Sequence, residues 1–234
     1  MYVEIIGVSG SGKTTTAKEI MNAVRARGIK ARNLHVYCSR AQLLNRYHWR
    51  KNLPDSERAL HQYTLGTWAA SVAYPELVEN LFAATADKPT QRLGCARALA
   101  ALSMLSEIGH DNLVITEDEG LLYRGAVAHT LSDDEGAFER FLTLAPFPDA
   151  LVFLNVEPEE ALRRAQERGK LLRLPEGVSH KDFFEHQNAK LERIAGCARS
   201  GGKLVIEGNS YETLADIVGD ASEKIRLLMK PGRK

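Results

Sequence analysis

The feature that most constrains the fold is a glycine-rich segment near the start of the chain, residues 7–14, with the sequence Gly-Val-Ser-Gly-Ser-Gly-Lys-Thr. It follows an apolar run over residues 3–6 and precedes a stretch of helical character over residues 15–27. A strand, a tight glycine turn and a helix start are the context in which this pattern forms a phosphate-binding loop, the P-loop. We therefore expect a fold in which the first strand and the first helix together bind a nucleoside triphosphate.

Each part of the P-loop has an expected role. The glycines let the backbone curl so that successive N–H groups point at one anion, and the helix N-terminus adds a partial positive charge. Lys13 can reach the outer phosphates, and the Thr14 hydroxyl can coordinate Mg²⁺. The residues predicted to bind the nucleotide are Gly7, Ser9, Gly10, Ser11, Gly12, Lys13, Thr14 and Thr15.

Length and composition fit one α/β domain of a cytoplasmic protein. The 234 residues are 44% hydrophobic and 26% charged, and the formal net charge of +1 provides no global field toward nucleic acid or membrane. The three cysteines are widely spaced and form no metal-binding motif, as expected of reduced thiols. No apolar run approaches the ~18 residues needed to span a bilayer, and an apolar strand in the first residues argues against a signal peptide. We predict one domain over residues 1–229 and a frayed tail over residues 230–234.

Apolar runs alternate with helical stretches along the chain. This alternation predicts an α/β fold with a five-stranded, mostly parallel sheet and helices on both faces. Helices are predicted to begin near Pro89, at Pro158, after the Ser179 capping box, and at Ser210. The predicted strands are Val3–Val8, Asn33–Tyr37, Leu113–Thr116, Ala150–Asn155 and Leu204–Glu207.

Three acidic residues, Glu117, Asp118 and Glu119, follow the predicted third strand. In an open α/β sheet, ligands bind beyond the carboxyl ends of the strands. A P-loop enzyme needs a carboxylate there, either to hold Mg²⁺ or to take a proton from an attacking hydroxyl. We predict that Glu117 and Asp118 supply the metal ligand and the catalytic base, and the assignment among the three acids stays open.

A basic and aromatic segment, residues 38–55, follows the predicted second strand and includes Arg40 and Trp49. Its position after a strand predicts that it faces the acceptor substrate. A solvated amphipathic helix with Trp49 buried would explain the same composition.

A second basic segment begins in the helix that Pro158 opens. Arg164 and Arg168 are four residues apart and therefore share a helix face, and Arg173 follows shortly after. Arginines brought in by a closing segment stabilise the charge that develops on a phosphoryl group in transfer, and they exclude water. Periodicity alone favours a salt-bridged surface helix instead, with Glu160 and Arg164 as an i, i+4 pair.

Residues 164–184, which include Arg164 to Lys170, Arg173 and Asp182-Phe183-Phe184, resemble the lid region of thymidylate kinases. Residues 148–159 are similar to that family's fourth strand and turn. The resemblance covers the P-loop and roughly residues 95–215. It implies a P-loop nucleotide-kinase fold, ATP and Mg²⁺ as cofactors, a homodimer, a lid near residues 163–180 and acceptor-side insertions near residues 38–110.

The resemblance also implies roles for individual arginines. Arg164 matches the position that packs on adenine, and Arg168 and Arg173 fall where one group of these kinases keeps its catalytic lid arginine. Arg97 matches the arginine that contacts the acceptor. Arg92 and Arg124 are further candidates on the acceptor side.

The end of the third strand departs from the thymidylate kinase pattern. That family has Asp-Arg there, whereas this chain has Glu117-Asp118, and a carboxylate in place of the arginine repels a phosphate. Deoxynucleoside kinases, on a similar fold, use a glutamate at this strand end as the base for a substrate hydroxyl. The predicted function is therefore ATP-dependent transfer of the γ-phosphate to a hydroxyl of a nucleoside-like acceptor.

Three alternatives stay open at this point. The acceptor hydroxyl could belong to a modified base in DNA or RNA, held by the basic and aromatic segment. The chain could be a thymidylate or other nucleoside monophosphate kinase. A nucleotide-dependent switch without catalysis is the third alternative.

Overall fold

The computed structural model of the protein describes residues 1–34, 67–105, 112–117, 120–130, 132, 134–169, 171, 174, 177–209 and 212–229. Five strands lie in these ranges: β1 (Tyr2–Ile6), β2 (Lys30–Asn33), β3 (Asn112–Thr116), β4 (Ala150–Asn155) and β5 (Leu204–Asn209). The helices whose bounds lie there are α1 (Lys13–Ala26), α2 (Pro75–Ala83), α3 (Pro89–Leu105), α4 (Leu121–Thr130), α5 (Glu135–Leu144), α6 (Pro158–Glu167), α7 (His180–Ser200) and α8 (Leu214–Met229).

The strands form one sheet in the order β2-β3-β1-β4-β5, and all four neighbouring pairs are parallel. This confirms the predicted five-stranded α/β fold. Because the strands are parallel, their carboxyl ends meet at one edge of the sheet. The loop after β1 leaves that edge between β3 and β4, where the strand order reverses and where such sheets bind ligands.

The two faces of the sheet are covered by different helices, as predicted. Along β1, Val3 and Ile5 pack with α1 and α8, while Ile6 packs on the opposite face with residues from α2 to α7. This alternation follows from the period of two in a strand. Ile6, the last residue of β1, therefore leads directly into the P-loop, and residues 3–6 of the strand are fully buried.

The second strand lies earlier in the chain than predicted. The sequence predicts Asn33–Tyr37, whereas the structure has β2 at Lys30–Asn33, and residues 35–37 lie outside the described residues. The apolar run misled the prediction because β2 is an edge strand among the described strands, and only Ala31 of its four residues is buried. Asn33 consequently stands at the carboxyl end of the strand and not at its beginning.

Local signals predicted several helix starts correctly. Pro158 is at the first turn of α6, and the Ser179 hydroxyl accepts a hydrogen bond of 3.0 Å from the Asp182 N–H at the start of α7. The last helix begins at Leu214 and not at Ser210, because the Thr213 hydroxyl accepts from the Asp216 N–H at 3.2 Å. Within the described ranges, no helix combines the length and the apolar character needed to span a bilayer.

Candidate nucleotide-binding and phosphoryl-transfer site

The P-loop packs directly against α6. Gly10 has φ of +87°, and a Cβ atom there would lie 2.2 Å from the Ala161 carbonyl oxygen of α6. Only glycine fits this position, both in conformation and in space. The loop and the helix that leads to the predicted lid are therefore in backbone contact.

Lys13 is the first residue of α1, and its ammonium group lies inside the loop. Its Nζ donates hydrogen bonds to the carbonyl oxygens of Gly7 and Val8, at 2.8 Å and 3.0 Å, and only 5% of the residue is exposed. The same Nζ lies 4.5 Å from the ring centroid of Tyr123 in α4, within the range of a cation–π interaction. Tyr123 was not predicted as a site residue, because nothing in its local sequence indicates that α4 begins beside the P-loop.

A cavity of about 90 Å³ lies over the N-terminus of α1. Arg168, the residue that caps the C-terminus of α6, lines this cavity together with the P-loop. The structure thus brings one predicted lid arginine and most of the predicted phosphate ligands around one space. The lining residues are Ser9, Gly10, Gly12, Lys13, Thr14, Thr15, Ala165 and Arg168.

A larger cavity of about 290 Å³ adjoins the first, since Gly12 and Thr15 line both. Arg164 lines this cavity together with residues at and just after the end of β5, among them Asn209 and Glu212. Ser11 also lines it, and the Ser11 hydroxyl is buried with no hydrogen-bond partner among the described residues. An unpartnered hydroxyl beside two contiguous cavities fits a polar ligand such as a nucleotide.

The i, i+4 pair that periodicity predicted on α6 is also present. The Arg164 Nε donates to Glu160 at 2.7 Å, and Glu160 is held as well by Arg163, whose side chain is 56% exposed. Hydrogen bonds from Arg163 and then Arg164 lower the pKa of Glu160 to about 2. Arg164 therefore fits both predictions for this helix, since it forms the surface ion pair with Glu160 and also lines the larger cavity.

Two polar side chains meet at the carboxyl ends of β2 and β3. Glu117 directly follows β3 and is half-buried, and its Oε2 accepts a hydrogen bond of 2.8 Å from the Nδ2 of Asn33. Asp118 and Glu119 lie outside the described residues. Asn33 was missed by the sequence analysis because the strand prediction put it at the wrong end of β2.

The remaining acceptor-side candidates occupy different places. Arg97 on α3 and Arg124 on α4 are half-buried, and the Arg124 side chain crosses Gly94, where a Cβ atom would lie 3.1 Å from its Nη1. Arg92 is turned toward α2, where its Nη2 donates to the Phe82 carbonyl at 3.1 Å. Arg40, Trp49 and Arg173 lie outside the described residues.

A buried carboxylate fixes the start of α4 beside this site. Glu4 of β1 is fully buried, and its Oε1 accepts a hydrogen bond of 2.9 Å from the Tyr123 N–H. A Cβ atom at Gly120 would lie 2.2 Å from the same oxygen, so the glycine allows the carboxyl group to reach the helix. Glu4 thereby positions the helix turn that holds the Tyr123 ring near Lys13.

Burial raises the pKa of Glu4 to about 7 from the ordinary value of 4.5, against opposing hydrogen bonds from the Tyr123 N–H, the Tyr2 hydroxyl and the Leu122 N–H. The folded protein therefore keeps this proton over a pH range in which the unfolded chain has lost it, and stability falls as pH rises. We expect the free energy of unfolding to decrease by about 3 kcal/mol between pH 4.5 and 7 because of the shifted pKa of Glu4. Denaturant titrations of the wild type and Glu4→Gln would measure this difference.

The control for that comparison is Glu79→Gln, because Glu79 is exposed on α2. It should keep the wild-type dependence of stability on pH. An unchanged dependence in Glu4→Gln would contradict the prediction.

Comparison with known proteins identifies the fold. No protein-family model matches the sequence. The solved structure of deoxyadenosine kinase from M. mycoides with bound dATP has a TM-score of 0.52 and 16% identity, covering 97% of this chain and 100% of that one. The structure of that kinase with the products dCMP and a flexible dCDP bound has a TM-score of 0.50 and 15% identity, with the same coverage. At this level of identity the likeness concerns the fold alone: the chain shares the α/β fold of these two deoxyadenosine kinase structures.

Proposed function

We propose that the protein is an ATP-dependent phosphotransferase that moves the γ-phosphate to a hydroxyl of a nucleoside-like acceptor. One observation carries the proposal: the P-loop lysine and a lid arginine, Lys13 and Arg168, line a single cavity. Two cations in the lining of one small cavity suit the transfer of a phosphoryl group better than mere retention of a nucleotide. The fold shared with deoxyadenosine kinases supports the same class of reaction.

The chain's own residues divide the binding of the nucleotide between the two cavities. The N–H groups at the start of α1 and the Lys13 ammonium bind the phosphates, and the wall formed by Arg164 receives the base. Bound Mg²⁺ would neutralise charge on the phosphates, and the Thr14 hydroxyl is the candidate ligand in the described residues. Asp118 remains a further candidate from the sequence.

Glu117 is the proposed base for the acceptor. The acceptor oxygen forms a bond to the γ-phosphorus as the bond from that phosphorus to the ADP oxygen breaks, and Glu117 takes the hydroxyl proton. Arg168 stabilises the negative charge on the phosphoryl oxygens during the transfer. Arg97 and Arg124, half-buried on α3 and α4, are the proposed acceptor-binding arginines.

The acceptor should be an uncharged hydroxyl compound and not a monophosphate. The Glu117 carboxylate at the acceptor end of β3 repels a phosphate dianion, and Asp118 adds a second negative charge in the sequence. We expect transfer of radiolabelled γ-phosphate from ATP to 2′-deoxyadenosine and little or no transfer to dTMP. Chromatography of the labelled products from a panel of nucleosides, nucleotides and hydroxyl-bearing modified DNA would measure this preference.

The Glu117→Gln variant provides the internal control for the acceptor assay. It should bind ATP normally and lose transfer, because the amide cannot accept the proton. Efficient phosphorylation of dTMP by the wild type would refute the hydroxyl acceptor and favour a monophosphate kinase. Transfer to modified DNA alone would leave the chemistry intact and move the acceptor into nucleic acid.

A further inference from the structure

We infer that Asn33 is a positioning residue for the catalytic base, which it holds in place from the neighbouring strand. This inference rests on the proposed function, since it assigns Asn33 a role through Glu117. The observation behind it is the 2.8 Å hydrogen bond from the Asn33 Nδ2 to the Glu117 Oε2.

The sheet brings these two residues together although 84 positions separate them in the chain. Asn33 ends β2 and is paired with Ile115 of β3. Glu117 lies two residues after Ile115, directly past the end of β3. Both side chains are half-buried at the carboxyl edge, where the P-loop also emerges. The parallel register therefore fixes the backbone at both ends of the hydrogen bond.

The chemistry of the pair suits a base and its holder. An amide N–H that donates to a carboxylate makes a charge-assisted hydrogen bond, which is stronger than one between neutral groups. The amide does not ionise or act as a base near neutral pH, so it orients the carboxylate without competing for the acceptor proton. A base must be held within hydrogen-bond reach of its proton, and small displacements are costly in rate.

Asn33→Ala should lower kcat with 2′-deoxyadenosine by about 10- to 100-fold. The KM for ATP should stay within about twofold, because the nucleotide cavities are lined by the P-loop and by residues of α6, β4, β5 and α8. Asn33→Asp is the sharper variant, since it keeps the shape of the side chain and replaces the donor with a second carboxylate. It should lose at least as much turnover as Asn33→Ala.

The decisive measurement is a double-mutant cycle on kcat. If Asn33 acts through Glu117, then removing it in the Glu117→Gln background should change the residual rate by less than about twofold. Arg32→Ala is the matched control, because Arg32 is exposed on the same strand. That variant should keep wild-type turnover, and thermal unfolding of all variants checks that the fold is retained.

Two results would overturn the inference in distinguishable ways. Wild-type turnover by Glu117→Gln would remove the proposed base and the role of Asn33 with it. Loss of turnover in Glu117→Gln, together with wild-type turnover in Asn33→Ala or equal losses in both backgrounds, would remove only the role of Asn33.

Discussion

Lys13→Ala should reduce phosphoryl transfer by at least ~1,000-fold, the upper range for the loss of one donor to a developing charge. The reason is geometric: the Lys13 ammonium is held inside the P-loop by the Gly7 and Val8 carbonyls, and Lys13 lines the cavity over the N-terminus of α1. We expect the folded state to persist, because the hydrophobic core under α1 is formed by other residues, such as Ile20 and Val24. Radiolabelled transfer and thermal unfolding, measured on the same preparation, would test both parts.

Lys18→Ala is the matched control for this variant. Lys18 lies on the same helix, has the same charge and is exposed. It should retain wild-type turnover. Wild-type turnover by a folded Lys13→Ala protein would instead exclude the kinase function.

Arg168→Ala should lower kcat by about 100-fold and leave the KM for ATP nearly unchanged. Arg168 caps the end of α6 and lines the cavity over the N-terminus of α1. There its positive charge should stabilise the transition state of transfer more than the bound ATP. Steady-state kinetics that vary ATP at a saturating acceptor concentration would separate the two parameters. Arg173→Ala, made in parallel, tests whether the second predicted lid arginine acts in the same step.

The control on the same helix is Arg163→Ala. Arg163 pairs with Glu160 and Glu167 on the exposed side of α6, so its loss should remove surface ion pairs without reaching the cavity. If Arg168→Ala raised the KM for ATP at constant kcat, then Arg168 would be a binding group and not a stabiliser of the transition state.

The sequence predicted the parts of the fold that depend on local signals. The P-loop, the proline at the start of α6 and the serine cap of α7 are each encoded within a few residues. The helical spacing of Arg164 and Arg168 likewise predicted a common face, and the two residues line adjoining cavities.

The missed features depend on contacts between distant segments. Strand β2 lies at an edge of the described sheet and needs few apolar residues, so its hydrophobic signal is weak. The resulting shift of the predicted strand concealed the position of Asn33. In the sequence, Glu4 only interrupts an apolar strand. Its role becomes clear in the structure, where it accepts a hydrogen bond from the Tyr123 N–H at the start of α4. No local pattern predicts that a helix start will satisfy a carboxylate 119 residues away.

The contact between Gly10 and Ala161 leaves no side chain between the P-loop and α6. Because the two backbones are in direct contact, neither can shift without moving the other, so the P-loop and α6 should move as one body. The conformational entropy of bringing the Arg168 end of α6 to the phosphates is therefore lost largely when the chain folds, and little of it remains to be lost when the nucleotide binds. Natural variation at residue 10 should accordingly be confined to glycine, even where the acceptor side of the sheet diverges.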